Sequence, residues 1–331
     1  MKLRTKIAGT VALPLALAIA SASQAATIVD NEQHRLNIGG FVAASANWTI
    51  YDDAGADHDS DVDYGMSLGT SRLNVTHTAK TDAGNVTIMY ENDWAGAATT
   101  ASGYRLRHAA IMWDGWVAGF TWNGFANLTG LAETIDAAGT AGASGSAPAG
   151  RNAVLGRNIA VGDGMSVGVF IEDRGETTYR AVPDLTANFK GAFGDTSVFV
   201  GAQMLQVEDE DDTTKTEAQL DLTFGLNQKI SDELSLKAAL TNYNGDNTAV
   251  SVAAQFKVSD QLRTNLVVQQ QIMDADDSDA TAVWVNAFLK TASGWEWGGE
   301  VRMVSADDLA VAVNGLGDSD MRVSLQAKYA F

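Results

Sequence analysis

The sequence predicts an all-β chain that closes into a transmembrane antiparallel β-barrel of about 16 strands. Segments of about ten residues alternate apolar and polar side chains with a period of two, which places one set of side chains on each face of a sheet. Tight turns alternate along the chain with long, often acidic loops, and the number of segments is even. These three features are typical of outer-membrane barrels. At about 16 strands the lumen is wide enough for water rather than a side-chain-filled core.

The strands can be assigned in order from Leu36. In one of them, Leu266 and Val268 alternate with Asn265, Gln269 and Gln271. The predicted strands span 36–50, 66–79, 85–95, 103–113, 116–123, 151–161, 165–173, 178–190, 196–207, 215–229, 234–244, 248–258, 261–273, 280–290, 295–304 and 320–331.

The first 25 residues have the pattern of a secretory signal peptide. Lys2, Arg4 and Lys6 precede an apolar run over 7–20, and small residues follow up to Ala25, where we expect cleavage. An N-terminal membrane anchor is the alternative, but the apolar run is shorter than the roughly 20 residues that a spanning helix needs. We therefore expect a signal peptide at 1–25, a short N-terminal segment at 26–35 and the barrel at 36–331.

Composition excludes several classes of function. The chain has 22 basic and 41 acidic residues, and its formal charge of −19 becomes −22 without the three basic residues of the signal peptide. Nucleic-acid binding needs a basic patch and is not expected. The absence of cysteine excludes disulfides and thiolate metal sites.

A soluble secreted β-protein would show the same alternation, but two features favour a membrane barrel. Arginine recurs on the polar face where lysine is scarce, and tryptophans lie near strand ends, as in interfacial girdles. In the last segment Leu325, Ala327, Tyr329 and Phe331 alternate with polar residues. A final amphipathic strand ending in phenylalanine resembles the assembly signal of Gram-negative outer-membrane proteins. That resemblance implies Tyr329 and Phe331 as the signal, location in the cell outer membrane, and contact with its lipid, lipopolysaccharide and barrel-assembly machinery.

The stretch from Gly103 to Arg157 departs from the regular pattern. A predicted hairpin precedes residues 124–150, which show no strand-like alternation, and a strand begins after them at Arg151. A loop that long in a compact domain is usually functional. We call it the third loop, because it is the third long connection, and we expect it to fold inward and narrow the lumen.

This stretch resembles the constriction region of the DcaP-like trimeric porins. The similar residues are Leu106-Arg107-His108-Ala109, Trp113, Gly119-Phe120-Thr121-Trp122, Phe125, Leu128, Leu131 and Glu133-Thr134-Ile135-Asp136, together with the opening strand at 36–41. The resemblance implies the architecture of general porins, a homotrimer, and passage of small anionic solutes, notably dicarboxylates.

Strand register places Arg105 and Arg107 on one face with Ala109, opposite Leu106 and Ala110, and we assign that face to the lumen. The predicted pore-lining set adds Arg72, Arg151 and Arg157 on neighbouring strands, with Glu133 and Asp136 of the third loop as an opposing acidic wall. Guanidinium groups in a narrow lumen attract anions and bind carboxylates or phosphates through two parallel hydrogen bonds. The alternative is that these arginines only hold the third loop in place.

The sequence therefore predicts a porin, a passive diffusion channel for small hydrophilic solutes that favours small anions through an arginine-lined eyelet. The net negative charge favours cations instead, but the acids concentrate in predicted external loops, where charges are screened beyond about 8–10 Å at physiological salt. A general cation-preferring porin remains the alternative, followed by a non-conducting adhesin or structural barrel.

Enzymatic and metal-dependent functions are less well supported. Gly164 to Gly168 matches G-x-S-x-G, but that motif needs a strand–turn–helix elbow and here enters a predicted strand. The four histidines are scattered, and the alternating aspartates at 57–63 lack the closing glutamate of a calcium loop. We expect no enzyme activity, no cofactor and no metal site.

Overall fold

A computed structural model describes residues 25–51, 62–95, 103–135, 140–141, 145–175, 182–208, 216–244, 247–273, 278–306 and 321–331. The strands are β1 (Ala26–Asp30), β2 (His34–Ile50), β3 (Val62–Ser67), β4 (Arg72–Thr81), β5 (Gly84–Asp93), β6 (Arg105–Trp113), β7 (Trp116–Trp122), β8 (Arg151–Gly162), β9 (Met165–Asp173), β10 (Asp184–Phe193), β11 (Thr196–Glu208), β12 (Thr216–Lys229), β13 (Leu234–Tyr243), β14 (Asn247–Lys257), β15 (Leu262–Met273), β16 (Ser278–Lys290), β17 (Trp295–Ala306) and β18 (Met321–Ala330). A helix long and apolar enough to cross a membrane is not found in these ranges.

The strands form one closed antiparallel barrel, which confirms the predicted fold class. Each strand from β4 to β18 pairs with the next, and β18 pairs with β2 to close the ring. The 18 strands occupy 16 positions, because two positions are each shared by two strands. One is shared by β3 and β4, which pair with successive parts of β2.

The other shared position joins the two ends of the described chain. β1 pairs with the first part of β2, and β18 pairs with the remainder. They meet at Gly40, whose N–H donates to the Phe331 carbonyl (3.1 Å) while the Phe331 N–H donates to the Gly40 carbonyl (3.0 Å). The sequence predicted only a short segment at 26–35, and the structure places strand β1 there.

The distribution of side chains is inverted relative to a water-soluble protein. On β12, Leu220 and Leu222 point outward and are 54% and 48% exposed, whereas Asp221 and Thr223 point into the lumen and are 1% and 2% exposed. Strand alternation alone fixes these two faces, since successive side chains point to opposite sides. The outer surface is therefore apolar and suited to lipid, and the polar groups line the interior.

Most predicted strand boundaries agree with the structure to within a few residues. The largest differences are the interruption of the second predicted strand between β3 and β4, and the later start of β10, which follows Pro183. Proline lacks the N–H that a ladder needs, so it is suited to the position before a strand. The predicted signal peptide up to residue 24 and most of the acidic loops lie outside the described residues.

Candidate functional site in the barrel lumen

The described part of the third loop, residues 123–135, 140–141 and 145–150, lies inside the barrel and follows the inner wall from β9 to β17. Its anchors along the chain are Gly124 N to Glu172 Oε1 (2.6 Å), Asn127 Nδ2 to Thr223 Oγ1 (3.0 Å), Lys237 Nζ to Leu131 O (2.8 Å), Ile135 N to Glu300 Oε2 (2.8 Å) and Ser146 Oγ to Ser251 Oγ (2.7 Å). Loop backbone groups that would otherwise be buried without partners are thus bonded to wall side chains. The loop occupies part of the lumen and is fixed there.

Glycine at position 225 of β12 permits the close approach of the loop. A Cβ atom at Gly225 would lie 2.0 Å from Asn127 Oδ1, far inside van der Waals contact. The Asn127 amide also donates to the Phe224 carbonyl (2.9 Å), so the loop touches the wall backbone itself.

Glu133 binds the wall on the far side of the barrel. Arg263 of β15 donates to both carboxylate oxygens of Glu133, with Nη2 at 2.6 Å and Nε at 2.9 Å, and its Nη1 donates to Glu296 Oε2 (2.9 Å). Gln255 adds a further hydrogen bond to Glu133 (2.9 Å). We call Glu133, Arg263 and Glu296 the loop wall. Lys328 Nζ lies 3.4 Å from Glu296 Oε1, so the two carboxylates of the loop wall face two cations.

A second group of charges lies where strands β4, β5, β6 and β8 line the lumen. We call it the arginine wall, and it consists of Arg72, Arg105, Arg107 and Arg151 with the carboxylates Glu91 and Asp93. Arg72, Arg107, Glu133 and Arg263 border the same cavity of about 440 Å³, so the arginine wall and the loop wall face a common space.

Within the arginine wall, the two acids bind three of the arginines. Asp93, which is fully buried, accepts two hydrogen bonds from Arg105 (2.9 and 2.6 Å) and one from Arg107 Nη1 (2.7 Å). Glu91 accepts from Arg107 Nε (2.8 Å), and its Oε1 lies 3.6 Å from Arg72 Nη1. The charge-assisted hydrogen bonds of 2.6–2.9 Å are strong and hold Arg105 and Arg107 in place.

Arg151 differs from the other three arginines. Its guanidinium carbon lies 3.5 Å from the centre of the Trp122 ring, and Arg107 lies over the same ring at 5.9 Å. The Arg151 Nε atom is buried, and in the described part of the chain this guanidinium has no hydrogen-bond or carboxylate partner. Stacking on an indole orients the cation without neutralising its charge.

A β-bulge in β6 brings a further side chain to this wall. Glu91 pairs with His108 and Asn92 with Leu106, so Arg107 is an extra residue without a partner position on β5. Beyond one extra residue, each side chain of the strand points to the face opposite to the one that simple alternation predicts. The prediction that Ala109 shares the lumen face with the arginines was therefore wrong, since Ala109 is exposed. Ala110, predicted on the opposite face, is buried instead.

His108 reaches the lumen because of this bulge. Its Nδ1 lies 2.8 Å from Thr121 Oγ1, and its ring packs edge-on against Trp122 at 5.3 Å. It thus supports the indole on which Arg151 stacks.

Of the remaining predicted site residues, Arg157 is not brought to the arginine wall. Arg157 lies on the face of Leu155 and Ile159, which are 49% and 50% exposed, and it pairs with Asp114 of a short turn (2.7 Å). The sequence placed it in the lumen, but near a strand end a long side chain can keep its charge in the polar interface of a membrane. Asp136 lies outside the described residues.

The residues predicted as the assembly signal lie at the short-turn end of β18. Tyr329 packs against Trp295 with ring centres 5.5 Å apart, and Trp295 stacks on Trp297 at 6.0 Å. Tyr329 and Phe331 are 40% and 44% exposed, so this cluster forms an aromatic patch on the outer face. Tyrosine and tryptophan at such a position are typical of an interfacial girdle.

Several contributors to the lumen were not in the predicted pore-lining set, namely Glu91, Asp93, His108, Trp122, Lys237, Arg263 and Glu296. For the strand residues Glu91, Asp93 and Arg263, a signal was available, because each lies on the polar face of its predicted strand. The structure also joins His34 and His77 (Nδ1 to Nε2, 3.2 Å) on the outer face, away from the third loop. No group of three or more potential metal ligands occurs in the parts of the chain described above.

No sequence-family model matches the chain, and no curated protein matches it by sequence. Solved structures match it over nearly its whole length. The outer membrane channel DcaP of Acinetobacter baumannii has a TM-score of 0.76 at 22% identity, covering 92% of this chain and 100% of that chain. The anion-selective porin from Comamonas acidovorans has a TM-score of 0.67 at 14% identity, covering 90% of this chain and 100% of that chain.

The trimer form of OmpT, an outer membrane protein of Vibrio cholerae, has a TM-score of 0.66 at 14% identity and covers 91% of this chain and 100% of that chain. At these identities the likeness is one of fold. Together with the closed barrel, the apolar outer face and the loop fixed inside the lumen, it shows that the chain has the fold of the outer-membrane porins.

Proposed function

We propose that the protein is a porin of a Gram-negative outer membrane that lets small hydrophilic solutes diffuse passively down their gradients. The support is the polar lumen, the apolar outer face and the third loop fixed across the interior. We propose no reaction and no cofactor. Selectivity would come from the dimensions of the lumen at the third loop and from the charges that line it.

The proposed preference is for small anions such as dicarboxylates. The observation that carries it is the position of Arg151, which lies on Trp122 beside Arg107 and has no carboxylate partner among the described residues. The arginine wall contains four guanidinium groups and two carboxylates, so positive charge exceeds negative charge there. An anion entering this space meets donors that the protein's own acids do not occupy.

The loop wall does not offset this excess. Glu133, predicted as part of an acidic wall, is bound by Arg263, and Lys237 adds an ammonium to the same cavity. The acidic external loops are the argument for a cation-preferring porin, the second candidate. Screening limits their influence to about 8–10 Å at physiological salt.

The location and assembly that we propose follow the same architecture. Residues 1–25 would be removed as a signal peptide, and Tyr329 and Phe331 of the aromatic patch would be recognised by the barrel-assembly machinery. A homotrimer in contact with lipid and lipopolysaccharide is proposed because the protein shares its fold with an outer membrane protein solved in a trimer form.

The test is the reversal potential of the refolded protein in planar bilayers under a KCl gradient. We expect anion selectivity, and we expect Arg151→Gln to lower the anion-to-cation permeability ratio about twofold or more by removing one uncompensated charge. Arg157→Gln is the matched control, because it removes an equal charge that is paired on the outer face.

Cation selectivity of the unchanged protein would favour the second candidate. Equal permeability ratios in the two variants would remove Arg151 from the selectivity mechanism. A correctly folded barrel without conductance would refute the channel function itself.

A further inference from the structure

A second cavity, of about 390 Å³, lies between the third loop and the short turns. It extends from Asn123 and Gly124 of the loop to Gly115 of the turn between β6 and β7. Its lining is largely apolar and includes Met89, Met112, Trp122, Leu128 and Phe170. Most of the lumen wall is polar, so an apolar patch inside the barrel needs an explanation other than contact with lipid.

One cation faces this apolar cavity. Lys190 of β10 is the only lysine or arginine among the lining residues, and the described structure gives its ammonium no hydrogen bond and no carboxylate partner. The Lys190 ammonium lies over the ring of Phe199, 5.8 Å from the ring centre. Asp114 also lines the cavity, but Arg157 binds its carboxylate at 2.7 Å. A half-buried, unpaired ammonium is costly to the protein unless an anion accompanies it.

Two polar groups near the cavity are likewise unsatisfied. The Oδ1 atoms of Asn123 and Asn158, both lining residues, are buried without hydrogen-bond partners in the described structure. The oxygen and nitrogen of a side-chain amide exchange places by a half-turn, so either group can present N–H donors to an oxyanion. The cavity therefore combines an apolar lining, one free cation and two available amides.

We propose that this cavity binds a small, singly charged carboxylate with a flat apolar body, such as an aromatic carboxylate. The carboxylate would lie at Lys190, and the ring would pack on Met89, Met112 and Phe170. Methionine suits this role because its flexible thioether adapts to a ligand and makes favourable contacts with aromatic rings.

The proposed ligand differs from that of the arginine wall. Four guanidinium groups suit a small polar solute with more than one carboxylate, whereas Lys190 offers a single charge beside apolar side chains. Binding here needs only the folded barrel. The proposal therefore stands apart from the channel function and from anion selectivity.

The experiment titrates the refolded barrel in lipid nanodiscs with 4-fluorobenzoate and follows the ¹⁹F NMR signal. We expect a saturable shift, because partitioning into lipid alone does not saturate. Lys190→Met keeps the approximate length of the side chain and removes the charge, and it should weaken binding about tenfold or more. Lys190→Arg should retain binding.

Lys257→Met is the matched control, since it removes a lysine that is paired with Asp260 at an exposed turn (2.7 Å). Folding of each variant is verified by its heat-modifiable migration in gels. No saturable shift, or equal affinity in Lys190→Met and the unchanged protein, would overturn the proposal. So would loss of binding in Arg151→Gln with Lys190→Met unaffected, because the anion would then lie at the arginine wall.

The channel function and the carboxylate site at Lys190 can be confirmed or refuted independently of each other. A barrel that binds 4-fluorobenzoate through Lys190 but carries no current keeps this site and loses the channel function. An anion-selective channel without a saturable shift loses only this site.

Discussion

The arginine wall and the loop wall are built from the same residue types and have different electrostatic properties. In the loop wall, Arg263 binds two carboxylates, those of Glu133 and Glu296. In the arginine wall, four guanidinium groups share two carboxylates, and Arg151 rests on Trp122 without either of them. The loop wall holds the third loop to the barrel, whereas the arginine wall contains more guanidinium groups than carboxylates.

The comparison shows that an arginine in a lumen does not by itself indicate anion selectivity. The number of carboxylates within hydrogen-bond distance decides whether its charge is available. Attachment of the third loop by an arginine is seen at Arg263, whereas the role of the arginine wall in selectivity stays a prediction.

The largest effect is expected from breaking the arginine wall at Asp93. Asp93→Asn leaves Arg105 and Arg107 without their shared carboxylate and should lower the free energy of unfolding by about 3 kcal/mol, because the buried Arg107 guanidinium loses one of its two counter-charges. The measurement is denaturant unfolding of the refolded barrel in detergent.

Asp232→Asn provides the matched control. Asp232 pairs with Lys229 at a short turn, and hydrogen bonding to that ammonium lowers the pKa of its carboxyl, but its side chain is 86% exposed. Exposed pairs contribute little to stability. If both variants unfold at the same denaturant concentration, the arginine wall does not depend on Asp93.

An intermediate effect is expected from changing the charge of the loop wall. Arg263→Gln leaves Glu133 without its guanidinium partner beside the cavity, while Glu296 keeps Lys328, and it should shift the permeability ratio toward cations by about two- to threefold. Reversal potentials under a salt gradient measure the shift.

Glu133→Gln removes the same ion pair with the opposite change of charge, and it should shift selectivity toward anions. Comparing the two variants separates the effect of charge on selectivity from the effect of loosening the third loop. A shift in the same direction for both would mean that movement of the loop, and not its charge, sets the ratio.

The smallest effect is expected from the contact between the third loop and β12. Gly225→Ala places a Cβ atom where Asn127 now lies, so the loop must move toward the lumen axis and reduce single-channel conductance without changing selectivity. Gly299→Ala is the control, because its new Cβ would meet only Leu325 at an ordinary 3.8 Å. Unchanged conductance in Gly225→Ala would show that this contact does not set the size of the opening.

The fold could be predicted from the sequence because its signals are local. Alternation with a period of two identifies each strand and its faces within about ten residues, and turn residues mark the joins. The predicted span 165–173 coincides with β9 (Met165–Asp173), and the long segment at 124–150 marks the third loop that the structure places inside the barrel. Strand β1 was missed, since five residues paired with β2 carry too short a pattern.

The site could be predicted only in part. Arg72, Arg105, Arg107 and Arg151 lie together as expected, but the bulge at Arg107 and the outward position of Arg157 were not foreseen. A bulge depends on the pairing of two strands, and one extra residue reverses every later assignment of a face. Lys190 was not singled out, because its significance depends on apolar neighbours from β5, β6 and β9.

The sequence by itself determined the strand order, the apolar outer face and the presence of arginine in the lumen, because each follows from neighbours along the chain. The tertiary structure decided which of those charges remain free. Glu133 and Arg263 are 130 positions apart in sequence, and only closure of the barrel brings them within hydrogen-bond distance. Charge compensation acts over a few ångströms in space, so the function of a charged side chain here depends on contacts that no local pattern records.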